Sequence, residues 1–160
     1  MPDSEQRLFT QPGAWSGGHY EIDVQLRASQ LPMAVAALWQ FPQLDGCYSH
    51  RDREPSSQAR LDPAAFEAWD HRLGVATFSS FGAAACLSFT SQDDGDDASL
   101  LLCLPLGSLG SILPVGGFPF GRGTDPGWRE VVDEWLASLG RHLFEHVAFD
   151  LAVIGFEISV

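Results

Sequence analysis

Residues 19–27 read His19-Tyr20-Glu21-Ile22-Asp23-Val24-Gln25-Leu26-Arg27, and their alternation decides the fold class. Tyr20, Ile22, Val24 and Leu26 point one way and the five polar residues point the other. That is the two-residue period of a strand with one buried and one wetted face. A strand inside a parallel sheet would be apolar on both faces, so the pattern argues for an antiparallel sheet or an edge position.

Upstream, residues 1–18 contain Pro12, Gly13, Gly17 and Gly18 and no periodicity, and read as an irregular N-terminal arm. Downstream, Ser29 and Pro32 start a helix with the stripe Leu31, Val35, Leu38 and Trp39, stopped at Pro42. A short strand from Gly46 to about Asp52 and a polar stretch through Arg60 follow. Asp62-Pro63 caps a second helix carrying Phe66 and Trp69 and ending near Gly74. Two apolar strands, 75–81 and 83–91, flank Phe81-Gly82. The run Asp93-Asp94-Gly95-Asp96-Asp97 is a hairpin turn before a strand over 99–104, so these three strands form an antiparallel meander. Beyond the Gly- and Pro-rich residues 107–127, Asp125-Pro126 opens the strongest helix. Its stripe is Trp128, Val131, Val132, Trp135, Leu136 and Leu139; Gly140 either ends the helix or is spanned, since Leu143, Phe144 and Val147 continue a similar stripe. The run 149–158 is apolar on both faces and is expected as a central strand.

The order is β-α-β-α-β-β-β-α-β, an α+β pattern. Residues 19–160 are expected as a single domain, with an antiparallel or mixed sheet and about three helices mainly on one face. A ferredoxin-like plait with an added helix and strands is the nearest common architecture. A loose echo of strand-helix-strand recurs at 19–52 and 99–158. The expected core includes Tyr20, Ile22, Val24, Leu38, Cys86, Leu102, Val132, Trp135, Leu136, Leu151 and Phe156.

Composition bounds the function classes. The chain has 160 residues, 45% hydrophobic and 19% charged, which fits one globular domain and excludes wholesale disorder. No apolar run approaches the ~18 residues of a membrane helix. The N-terminus is polar and acidic, unlike a secretory signal. Twenty-one acids face nine bases, all Arg, for a net charge of −12. Such a chain repels phosphate backbones and anionic lipid, which argues against nucleic acid and membrane surfaces. It remains compatible with a basic protein partner or with plain solubility. The absence of Lys beside abundant Ala, Gly, Arg and Asp suggests a GC-rich bacterial genome. Cys47, Cys86 and Cys103 are odd in number and lack CxxC spacing, which excludes a zinc ribbon or thioredoxin-like motif and fits a reduced cytosolic protein. Cys86 and Cys103 lie in apolar runs as small hydrophobes. Cys47 lies beside polar residues and is the one to examine for reactivity.

Four constellations could carry chemistry. His50, Arg51, Asp52, Arg53 and Glu54 gather a titratable ring, two guanidinium groups and two acids near a strand end. If the strand persists, Arg51 and Arg53 share one side and could clamp a carboxylate. His50 and Asp52 would share the other side as an oriented base. The competing reading is an exposed turn with weak internal ion pairs. His142-Leu143-Phe144-Glu145-His146 formally matches the HxxEH of inverted zinc peptidases, whose two imidazoles lie one helical turn apart. A third ligand is lacking, so a solvated helix end reads better and no metal site or cofactor is expected. The aspartate run lacks the ligand spacing of a calcium loop. Residues 116–123, Gly116-Gly117-Phe118-Pro119-Phe120-Gly121-Arg122-Gly123, could cradle an anion or plug a core, but match no phosphate-loop pattern.

Three segments together resemble a group of uncharacterised bacterial proteins. They are Cys103-Leu104-Pro105-Leu106-Gly107-Ser108-Leu109-Gly110, Gly116-Gly117-Phe118-Pro119-Phe120 and Ile154-Gly155-Phe156-Glu157. The resemblance covers the C-terminal third and implies a bacterial cytosolic protein without assigning activity. Small size, acidity and the lack of a catalytic motif point to a non-enzymatic interaction module, of accessory or immunity type, for a basic partner. A small-ligand or enzymatic pocket beside residues 48–54 is the alternative.

Overall fold

Alternation in the first strand is realised as β1 (His19–Arg27), whose Tyr20, Ile22, Val24 and Leu26 are buried beneath the helices. The computed structural model describes residues 7–63, 71–80, 82–115 and 127–158. A 3-10 turn, Ala28–Gln30, leads into α1 (Leu31–Leu38), and β2 (Leu44–Tyr48) follows. A meander of β3 (Arg72–Phe78), β4 (Ala83–Asp94) and β5 (Asp97–Pro105) comes next. The short α2 (Leu106–Leu109), the long α3 (Gly127–His146) and β6 (Leu151–Phe156) follow, and a second 3-10 turn, Pro55–Ser57, lies between β2 and β3.

The six strands form one sheet in the order β2-β3-β4-β5-β1-β6, and every neighbouring pair is antiparallel. The fold is α+β, as the sequence pattern predicts. Successive antiparallel pairings leave β1 and β2 running the same way, with α1 between them in the chain. They do the same for β5 and β6, joined through α3. Removing β3 and β4 leaves β6-β1-β5-β2, two interleaved strand-helix-strand units of the split βαβ kind. The echo of 19–52 in 99–158 is therefore present in the connectivity.

One face of the sheet packs against α1 and α3. Trp135 carries the centre of that core: its ring meets Phe41 at 5.6 Å and Phe78 at 5.7 Å, and its Nε1 donates to Thr77 O at 3.0 Å. Gly140 is spanned by α3 rather than ending it. A Cβ there would already lie 3.4 Å from Ile22 Cδ1, so the missing side chain lets helix and sheet approach closely.

The opposite, back face is covered over β2, β3 and β4 by residues 7–18, which contain no helix or strand. Phe9 and Ala14 are buried there with Tyr48, Leu73, Val75 and Cys86. Left-handed backbone at Gly13, Gly17 and Gly18 turns this segment back on itself. Gly107 N donates to Ser16 O at 2.9 Å, and a Cβ on Gly107 would stand 1.8 Å from Gly13 O. The segment thus lies directly on the start of α2.

Several sequence expectations are corrected. The strand placed at 46–52 is Leu44–Tyr48, because the polar residues after Tyr48 leave the sheet. The strand placed at 75–81 begins at Arg72, so the helix expected after Asp62 cannot reach Gly74. Gly74 is not a helix stop but a close strand contact, where a Cβ would stand 2.8 Å from Asp45 O. Residues 64–70, which carry Phe66 and Trp69, lie outside the described residues, as do 116–126. The hairpin turn is centred on Gly95-Asp96, with Asp94 paired to Asp97 and left-handed φ at Gly95. This is the glycine-first pattern of a two-residue hairpin. The run 149–158 forms an edge strand, not a central one. Ala152, Ile154 and Phe156 pack on the core, but Leu151 is 55% exposed, contrary to its expected place in the core. An apolar pattern does not distinguish a buried face from one that offers apolar side chains to solvent.

Candidate functional site

Strand register places the chemistry-bearing residues of the back face in rows. One row runs Leu73, Ser88, Cys103, Glu21, Gly155 from β3 to β6; the next runs Thr90, Leu101, Asp23, Val153; a third runs Gln92, Ser99, Gln25, Leu151. The first row passes from Leu73 on β3 to Glu21 on β1, the third is polar up to Leu151, and the cover of residues 7–18 lies over Tyr48, Leu73, Val75 and Cys86.

Residues 48–54 serve the covered part. After Tyr48 the chain turns outward, and Gln58 brackets the turn: its Oε1 accepts from Ser49 N and His50 N, and its Nε2 donates to His50 O and Arg53 O. Glu54 turns inward and accepts backbone N–H bonds from Leu8 at 2.5 Å, Phe9 at 2.8 Å and Thr10 at 3.4 Å. Arg51 lies over the Trp15 ring, 4.7 Å from its centroid. His50 Nδ1 and Asp52 Oδ1 are 4.0 Å apart, both exposed. His50 and Asp52 therefore come together. The paired placement of Arg51 and Arg53 does not arise, because it required the strand to continue. Arg51 and Glu54 fasten the N-terminal segment to the sheet edge.

On α3, His142 Nε2 lies 2.8 Å from Ala37 O, and His146 Nδ1 lies 2.9 Å from His142 O. Both imidazoles thus face backbone carbonyls, and His142 ties α3 to the end of α1. Cys47 is buried, and burial pushes its thiol up to about 11, which disfavours the reactive thiolate. Cys86 is likewise pushed up to about 11 by burial.

The open part of the back face lies over β5, β1 and β6. Gln25, Gln92, Asp93, Asp94, Asp97 and Ser99 line a groove of about 540 Å³ at the β4–β5 hairpin. Asp23 extends the acidic surface along β1. Its carboxyl is held above its ordinary value, first by burial and then by the charge of Glu21, with Gln25 Nε2 opposing through a 2.7 Å hydrogen bond. Leu151 and Val153 border it, 55% and 42% exposed. The sequence placed these residues on a wetted strand face and in a hairpin, but only the register gathers them.

A third group went unrecognised in the sequence. His19 and Glu21 sit two apart on β1, and Cys103 lies directly opposite Glu21 on β5. Their ligand atoms all lie within 4.8 Å of one another, and Glu21 is only 2% exposed. Cys103 Sγ donates to Glu21 Oε2 at 3.1 Å. Burial raises the Cys103 thiol strongly, and Glu21 raises it further through that bond and its charge. Among the described residues, these three are the set that could hold a metal ion. Alternation assigned Glu21 to water and Cys103 to the core, and only cross-strand pairing joins them.

No family model, curated protein or solved structure matches the chain. No helix among the described residues is long and apolar enough to cross a membrane.

Proposed function

We propose that the protein is a non-enzymatic interaction module whose open back face receives a basic protein partner. The observation that supports this most is the acidic groove bordered by apolar residues. Asp93, Asp94 and Asp97 surround it, Asp23 continues it, and Leu151 and Val153 stand exposed at its margin. Acidic groups steer a basic partner into register, and exposed apolar side chains supply area to bury once it arrives. The net charge of −12 adds long-range attraction of the same sign.

The test is retention of basic proteins on the immobilised chain at ~50 mM salt and their release as added salt shortens the screening length. The variant Asp93→Asn/Asp94→Asn/Asp97→Asn should lose most of the retention. Arg51→Ala, which alters the covered part, should keep it. Retention of acidic partners only, or of none, would remove the basis of the proposal. Binding that the triple variant leaves intact would place the contact elsewhere.

A further inference from the structure

We propose that His19, Glu21 and Cys103 bind one transition-metal dication, with zinc the best match to the donor set. The site lies on the same face as the acidic groove but does not depend on the interaction proposal. An imidazole, a carboxylate and a thiol suit zinc, which accepts nitrogen, oxygen and sulfur without a geometric preference of its own. Calcium and magnesium take oxygen ligands and are poorly served by this set.

The geometry is close to what coordination requires. Bonds of ~2.0–2.3 Å in a tetrahedron hold donor atoms roughly 3.3–3.6 Å apart. Cys103 Sγ and Glu21 Oε2 are already 3.1 Å apart, and no pair of ligand atoms in the set exceeds 4.8 Å. The half-buried His19 side chain is the ligand left to adjust, since Glu21 and Cys103 are held opposite each other on adjacent strands of the sheet. Ser88, opposite Cys103 on β4, also hydrogen-bonds the thiol and orients it.

The electrostatics point the same way. Glu21 and Asp23 crowd negative charge beside a thiol, an arrangement that a bound dication would offset directly. On binding, bonds form from the metal to a His19 ring nitrogen, a Glu21 oxygen and Cys103 Sγ. The Cys103 S–H bond breaks, and its proton leaves to solvent. Three protein ligands leave a fourth position for water or for a donor from a bound partner. The imidazoles of the HxxEH segment instead face backbone carbonyls at 2.8 and 2.9 Å.

The test is a cobalt titration of the reduced, chelator-treated full chain, followed by displacement with zinc. One equivalent of cobalt should produce a thiolate-to-metal charge-transfer band in the near ultraviolet, and zinc should abolish it. Cys103→Ser should remove the band, whereas Cys47→Ser and Cys86→Ser should keep it. Losing an outer partner of a metal ligand already weakens binding roughly 10–100-fold, so His19→Ala should weaken it by about 100-fold or more. No band in the wild type, a band that survives Cys103→Ser, or an unchanged affinity in His19→Ala would each overturn the proposal. Should Cys103→Ser fail to fold, the wild-type band and the His19→Ala titration decide it.

Discussion

Over β2, β3 and β4 the back of the sheet is roofed by residues 7–18, whereas over β5, β1 and β6 it presents Asp23, Gln25, Leu151 and Val153. Both parts belong to one continuous sheet, so the difference comes from side chains rather than architecture. Tyr48, Leu73, Val75 and Cys86 make an apolar surface that must be buried, and Phe9 and Ala14 bury it. Ser99, Asp23 and Gln25 make a polar surface that residues 7–18 leave uncovered. One part uses its side chains for stability, and the other keeps them available. If that division is right, substitutions in the two parts should separate stability from binding.

The largest expected effect is in the roofed part. Phe9 is 1% exposed and meets Trp15 and Tyr48 edge to face. Phe9→Ala should cost about 3–5 kcal/mol in a urea melt. Leu151→Ser in the open part should stay within about 0.5 kcal/mol of wild type, because Leu151 is 55% exposed. Equal losses at the two positions would show that the open part is itself packed against something.

Next comes Glu54→Ala, which strips an acceptor from the backbone N–H groups of Leu8, Phe9 and Thr10. A loss of about 1–3 kcal/mol is expected, with faster proteolysis before β1 as a second readout. Arg51→Ala removes only the guanidinium over Trp15 and should cost about 0.5–1 kcal/mol. If Arg51→Ala proves the more damaging of the two, the segment is held by stacking rather than by the carboxylate.

Legibility in the sequence follows the range of the interactions involved. The strand at 19–27 and the stripe from Trp128 to Leu139 are periodic signals within one element, and both are realised in the structure. The Asp93–Asp97 hairpin was legible because turn chemistry is local, and its two turn residues, Gly95 and Asp96, lie within that run. The edge position of β6 was not legible, since Leu151 and Val153 look as apolar as buried residues do. Nor was the role of Glu54, whose partners lie 44 to 46 residues away. The acidic groove and the His19, Glu21 and Cys103 cluster depend on register between β1, β4 and β5, which no single element encodes. The charge pattern suggested a basic partner but gave no place for it.

The smallest effect concerns Asp23, and its sign distinguishes the two parts most sharply. Burial, followed by the charge of Glu21, holds its carboxyl above the ordinary value of 3.8 in the folded chain. The folded state therefore binds the Asp23 proton more readily than the unfolded state does. Stability from this group is fully present below the unfolded value and falls as pH rises through the raised folded one. At neutral pH Asp23 is a net burden on the fold. Asp23→Asn keeps an oxygen to accept from Gln25 Nε2 and removes the charge, so it should raise the urea midpoint at pH 7. The gain should shrink as the pH falls through the raised folded value and be gone below 3.8, where wild-type Asp23 is protonated in both states. The same variant should weaken retention of a basic partner at low salt. A gain that persists undiminished in acid would trace to packing rather than charge. No gain at neutral pH would mean that Asp23 is carried without strain, and that the open part is a solvated face rather than one held at some cost to stability for binding.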